Sequence, residues 1–209
     1  MLIVAFSILA KEIIRKIIAA RYNTATEYRL WSIEKLGFRR SSTLPSILGF
    51  KINSIPLGFW LPIIFAFITL GKFPFVASGI FIISTNLAHR AGRTYMHMTE
   101  QEESKIALSA VFTSLALAFI FKLLSPISPA FIDAATINAL LAIFHMLPFP
   151  ELDGSKIFFS GKTFYIFNFV FILAASFMIF KLGIITTIIL ALLFAIILAI
   201  NYHYFLRYK

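Results

Sequence analysis

The sequence predicts an all-α polytopic membrane protein of about six transmembrane helices, with a small membrane-associated β or re-entrant segment near 74–95. Three observations carry that expectation. Of the 209 residues, 60% are hydrophobic and only 13% charged, about half the charged share of a soluble domain. Apolar segments of span length recur along the chain, each near the roughly 20 residues that cross a hydrocarbon core about 30 Å thick. The cations collect in alternate connections, as they do in membrane proteins sorted by their basic loops. The net charge of +10 is therefore assigned to those loops, and no nucleic-acid partner is expected. There is no cysteine, hence no disulfide frame, thiolate metal site or cysteine nucleophile.

Taken in order, the apolar segments are 2–20, 56–71, 74–88, 106–124, 131–148, 163–181 and 184–205. The third, FPFVASGIFIISTNLA, is rich in Gly, Ser, Phe and Ile and reads as a strand-like or re-entrant piece, which membrane depth tolerates only under protein cover. The stretch 21–55 carries Arg21, Arg29, Lys35, Arg39, Arg40 and Lys51. The connections 89–105 and 149–162 and the C-terminus add Arg90, Arg93, Lys105, Lys156, Lys162, Arg207 and Lys209, against only Lys72, Lys122 and Lys181 on the other side. The long loops and C-terminus are then cytoplasmic and the N-terminus outside. No cleavable leader is expected, because the apolar start runs straight into charges. No internal repeat or low-complexity linker breaks residues 1–209, which are expected to form a single domain. Without a repeat, a small transporter is the weakest reading. Tyr202, Tyr204 and Tyr208 beside Arg207 and Lys209 suit interfacial anchoring, Pro126 and Pro129 an external turn, and the 25 phenylalanines membrane packing.

Two polar interruptions stand out. AKEIIRK at 10–16 places Lys11, Glu12, Arg15 and Lys16 inside the first apolar run. With Met1 at the outer boundary, Lys11 lies about 15 Å deep, near the bilayer middle. Arg15 follows on the same helix face, and Glu12 comes within i,i+3 of it. A cation at that depth costs about 2.5–3.5 kcal/mol unless it faces protein or water. A helix lying flat on headgroups would also accommodate these charges. Far downstream, HMLPFPELDGSKIF sets Asp153 between two apolar runs.

Together these stretches resemble the site-2 protease family of intramembrane zinc metalloproteases. The family carries HExxH in one helix and N-x-x-P-x-x-x-LDG in a later one. FHMLPFPELDGSKIF keeps Pro148, Leu152, Asp153 and Gly154 of the second motif, and KEIIR stands where HExxH belongs. KIIAARYNTATEYRLW is similar to the run that follows HExxH in archaeal-type members, and GRTYMHMTEQEESKIALSAVFTS to the loop leading into an Ala-Gly-Pro-x-x-Asn helix start. The likeness covers roughly residues 5–160. It implies Glu12 at the general-base position and Lys11, Arg15 and Asp153 at the three zinc-ligand positions. The motif asparagine has become His145, and the Ala-Gly-Pro-x-x-Asn stretch Ser109, Ala110, Val111 and Ser114.

The departures fall on the chemistry. Zinc sites take imidazole, thiolate or carboxylate donors, whereas an ammonium or a guanidinium has no lone pair to offer. No catalytic residue set is therefore intact, no metal or other cofactor is expected, and hydrolysis by the family's route is expected to be lost. His145 is the weak rescue ligand; His89, His97 and His203 form no i,i+4 pair. The charges Lys11, Arg15, Glu12 and Asp153 are expected to form an ion-pair network in the metal's place. The reading that follows is a pseudoprotease, an integral protein of a prokaryotic cell membrane whose partners are the lipid bilayer, transmembrane segments of other proteins or an active paralogue. The alternative is an active or metal-rebuilt intramembrane zinc peptidase, with zinc as its cofactor.

Overall fold

The computed structural model describes residues 2–30, 57–70, 79–85 and 98–207. The cations of 35–51, Lys72, His89, Arg90, Arg93, His97 and Lys209 lie outside these. In chain order come α1 (Leu2–Arg21), β1 (Thr24–Leu30), α2 (Leu57–Ile68), β2 (Gly79–Thr85), α3 (Glu100–Leu124), α4 (Ala130–His145), α5 (Asp153–Ser160), α6 (Lys162–Met178) and α7 (Ile184–Arg207).

The mostly helical architecture agrees with the sequence, but the number of spans does not follow from it. Among the described residues, two helices are long and apolar enough to cross a membrane, Glu100–Leu124 and Ile184–Tyr204. Gly58–Ile68, Ala130–His145 and Lys162–Met178 are apolar but shorter, and α1 is loaded with charge. On α7 the small side chains Thr187, Ala191 and Ala195 are buried, while Ile185, Ile189, Leu193 and Ile197 are 75%, 52%, 52% and 55% exposed. Keeping four such side chains in water rather than burying them costs about 1.5–3 kcal/mol each, whereas a hydrocarbon surround removes that cost.

α3 is the hub, packed against α4, α5 and α1, while α6 and α7 pair with each other. Thr99 starts α3 through a reciprocal capping box: its side chain accepts from the Glu102 N–H at 3.3 Å, and the Glu102 carboxylate accepts from the Thr99 N–H at 3.1 Å. Glu100, Glu102 and Glu103 thus sit where the helix dipole favours anions. Ala107, Ala110, Ser114 and Ala118 are all buried along α3, and their small size lets neighbouring backbones close in. Ser109 and Ser114 turn their hydroxyls onto Ile106 and Ala110 carbonyls of their own helix, at 2.7 and 3.3 Å, so this stretch packs helices.

Two expected loops contain regular structure. Within 21–55, TATEYRL forms β1, paired antiparallel with β2 so that Thr24 faces Thr85 and Tyr28 faces Phe81. The β segment expected near 74–95 is β2 at 79–85; the remainder of that range falls outside the described residues. Asn23, at φ 54, turns the chain from α1 into β1, a left-handed position asparagine adopts at low cost. Thr24 ties the junction by donating to the Ala19 carbonyl at 3.0 Å. The second hidden element is α5, inside the expected 149–162 loop. Pro148 and Pro150 keep α4 from continuing, and the chain restarts as a helix at Asp153.

Gly154 is what lets α5 begin there. A Cβ at this residue would collide with the backbone carbonyls of Met146 and Leu147, so only glycine allows the first turn of α5 to lie against the end of α4. Gly154→Ala is expected to destabilise the protein by about 1–3 kcal/mol through overpacking. Thermal unfolding in detergent should show it as a fall of roughly 2–12 °C. An unchanged melt would mean that the two segments are not in contact.

Candidate functional site

α1 presents one continuous buried stripe. Ser7, Lys11, Arg15 and Ala19 are spaced four residues apart and each is at most 2% exposed, which is the i,i+4 alignment of a single helix face. The opposite face carries exposed Phe6, Leu9, Ile13 and Ile17. A helix lying flat would put its cations outward, whereas here Lys11 and Arg15 point into the protein and apolar side chains point away. That geometry disfavours the headgroup arrangement for these two residues.

Each polar member of the stripe meets a residue from far along the chain. Ser7 Oγ accepts from Asn138 Nδ2 of α4 at 2.9 Å. Lys11 Nζ lies against His145 Nε2, at the end of α4. Arg15 is the centre: its Nη2 donates to Asp153 Oδ2 at 2.7 Å and its Nη1 to Glu12 Oε1 at 2.9 Å. One planar guanidinium therefore holds both carboxylates, a task suited to its rigid fork of donors. The Arg15 and Asp153 side chains are 1% and 3% exposed, so the pair is removed from water. Asp153 also opens α5, where the helix dipole adds to the attraction for its negative charge.

The expected network is thus present around Arg15, but Lys11 departs from it. No ion pair joins Lys11 to Glu12 or Asp153 among the described residues; its close contact is His145. An ammonium only donates, so Nε2 must accept and the imidazole proton sits on Nδ1. Nδ1 has no hydrogen-bond partner among the described residues. His145 is consequently beside the site, as its sequence position implied, but engaged by a cation.

A second layer covers Arg15. The Arg15 guanidinium carbon lies 4.2 Å from the centroid of the Phe81 ring, on β2. Lys156, one turn beyond Asp153 on α5, places Nζ 3.4 Å from the same centroid and donates to the Phe81 carbonyl at 2.7 Å. The Lys156 ammonium also meets Glu103 of α3 at 3.4 Å. Burial pushes the Lys156 ammonium below the ordinary lysine pKa, opposed by the nearby Glu103 and Asp153 carboxylates. Three cations, Lys11, Arg15 and Lys156, therefore stand with three carboxylates, Glu12, Asp153 and Glu103.

Sequence reasoning missed Ser7, Asn138, Phe81 and Lys156 as members of this cluster. Ser7 had a readable signal, the four-residue spacing to Lys11 and Arg15. Phe81 had none, because one of 25 phenylalanines carries no mark of the strand pairing that places it.

The residues present do not suit a divalent metal. Among the described residues no group of three or more His, Cys, Asp and Glu side chains is placed to share an ion. Both carboxylates already accept from Arg15, and Lys11 faces the only imidazole of the cluster.

No family model matches the chain. It is 28% identical over 153 residues to a protein of Methanocaldococcus jannaschii described as "Putative zinc metalloprotease MJ0611". The match covers 70% of this chain and 61% of that relative, so the chain spans about three fifths of the length of the curated protein it resembles. No solved structure matches.

Proposed function

We propose that this chain is a catalytically inactive relative of the intramembrane zinc metalloproteases of the site-2 protease type. It would keep their scaffold and bind or regulate transmembrane segments of other proteins, an active paralogue among them. The observation that carries the reading is the Arg15 guanidinium bonded to both Glu12 and Asp153, which the motif resemblance sets at the general-base position and a ligand position. Hydrolysis on zinc needs neutral or anionic donors around the ion and a free carboxylate to take a proton from bound water. A permanent cation between the two acids denies both. Lys11 adds a second positive charge where another donor would stand.

Support for the membrane setting comes from the two long apolar helices and from the outward apolar face of α7. The basic-loop asymmetry favours an outside N-terminus and a cytoplasmic C-terminus, and the similarity to an archaeal protein favours a prokaryotic membrane. The description of that relative as a zinc metalloprotease is also the ground for the second reading, an active zinc peptidase.

Metal analysis separates the two. The protein purified without chelator is expected to carry no stoichiometric zinc, while the double variant Lys11→His with Arg15→His is expected to gain it. One zinc per chain in the parent, lost on Glu12→Gln or Asp153→Asn, would overturn the inactive reading and favour the peptidase.

A further inference from the structure

We infer that Lys156 and Phe81 form a latch that straps β2 over the buried Arg15–Asp153 pair, and that solvent reaches that pair only when this latch lets go. The contacts are unusual in converging on one residue. Lys156 donates to the main-chain carbonyl of Phe81 at 2.7 Å, lies 3.4 Å from the centroid of the same ring, and pairs with Glu103 at 3.4 Å. A single ammonium so joins β2, α5 and α3.

β2 has need of such an anchor. It pairs with β1 as a two-stranded ribbon, and a lone pair of strands is marginal without packing beneath it. The ring supplies that packing: Phe81 is 1% exposed and belongs to the core cluster that includes Ala19, Ile106 and Ile157. Its face also meets the Arg15 guanidinium at 4.2 Å, so moving the ring uncovers the cation that holds Asp153 and Glu12. The sequence explains the geometry. Lys156 stands three residues after Asp153, on the same side of a short helix. The turn that delivers the aspartate to Arg15 thereby delivers the lysine to the strand above it.

The latch is independent of whether the chain hydrolyses peptides. It assigns control of the cluster to a side chain at the bundle's α5 end rather than to a separation of the long helices.

The protein has no cysteine, so one introduced thiol gives a clean report of opening. Ala19 is 0% exposed and shares the core cluster of Phe81; Ala118, also 0% exposed, belongs to a separate cluster with Ala139 and Ile179. A water-soluble maleimide is expected to label Ala19→Cys slowly in the parent. Lys156→Met should raise that rate roughly tenfold or more, the effect of losing a charge-assisted hydrogen bond on a local opening. Phe81→Ala should do the same and Lys156→Arg should not. Glu103→Gln, which removes only the outer ion pair, should raise the rate by about threefold. Ala118→Cys should remain slow in every background. Equal Ala19→Cys rates with and without Lys156→Met would overturn the latch. So would parallel acceleration at Ala118→Cys, because the opening would then be of the whole fold.

Discussion

Arg15→Met is expected to lower the stability of the folded protein by about 3–5 kcal/mol, the cost of leaving buried charges without their partner. Methionine keeps much of the side-chain volume, so the loss isolates the guanidinium. Glu12 and Asp153 both depend on it, through contacts of 2.9 and 2.7 Å, and Phe81 loses one of its two cationic neighbours. For a chain of this size, thermal unfolding in detergent should show a fall of roughly 6–20 °C. Neutralising the orphans should return part of it: Arg15→Met combined with Glu12→Gln and Asp153→Asn is expected to melt above Arg15→Met alone. A single variant that melts within about 2 °C of the parent would mean that the guanidinium holds nothing together.

Asp153→Ala follows at about 3 kcal/mol, the lower end of the same range, because Glu12 remains to balance Arg15. Were Asp153 a solvated loop carboxylate, the change would stay within about 0.5 kcal/mol. The two residues belong to helices far apart in sequence, so their coupling is the decisive quantity. Arg15→Met with Asp153→Ala removes both ends of the pair and should cost less than the two single changes added together, by roughly 0.5–3 kcal/mol. Additive costs would place the two side chains out of contact.

How much of this was readable in the sequence differs from residue to residue. The long helices were, because long apolar runs end at recognisable stops: SPISPA between α3 and α4, and PFP after α4; α5, inside an expected connection, was not. Nor was β1. TATEYRL sets Thr24, Thr26 and Tyr28 on one face and Ala25, Glu27 and Arg29 on the other, with no clear apolar side, and its strand character depends on pairing with β2, which begins 49 residues after β1 ends. The joining of Arg15 to Asp153 was reachable from charge alone, since a cation within an apolar run needs an anion and acids are scarce in this chain. Which cation takes which partner was not reachable. Lys11 and Arg15 share a face, and only the end of α4 meeting the middle of α1 puts His145 against the lysine and leaves the arginine to the acids. The same limit hid Phe81, whose place over Arg15 is set by strand register.

The separation between Arg15 and Asp153 also constrains how the chain is made. Their bond bridges 138 residues. At a synthesis rate of about 5–20 residues per second, α1 emerges roughly 7–28 s before the acid that neutralises it. Ser7 and Lys11 wait almost as long for Asn138 and His145. In a membrane-embedded protein the first helix thus spends that interval with its cations facing neither lipid-compatible partners nor finished protein. It has to be delayed at the aqueous boundary or sheltered by the insertion machinery until α4 and α5 arrive. Under the membrane setting proposed above, biogenesis of this chain should depend on such holding far more than that of a protein whose first helix is plain hydrocarbon.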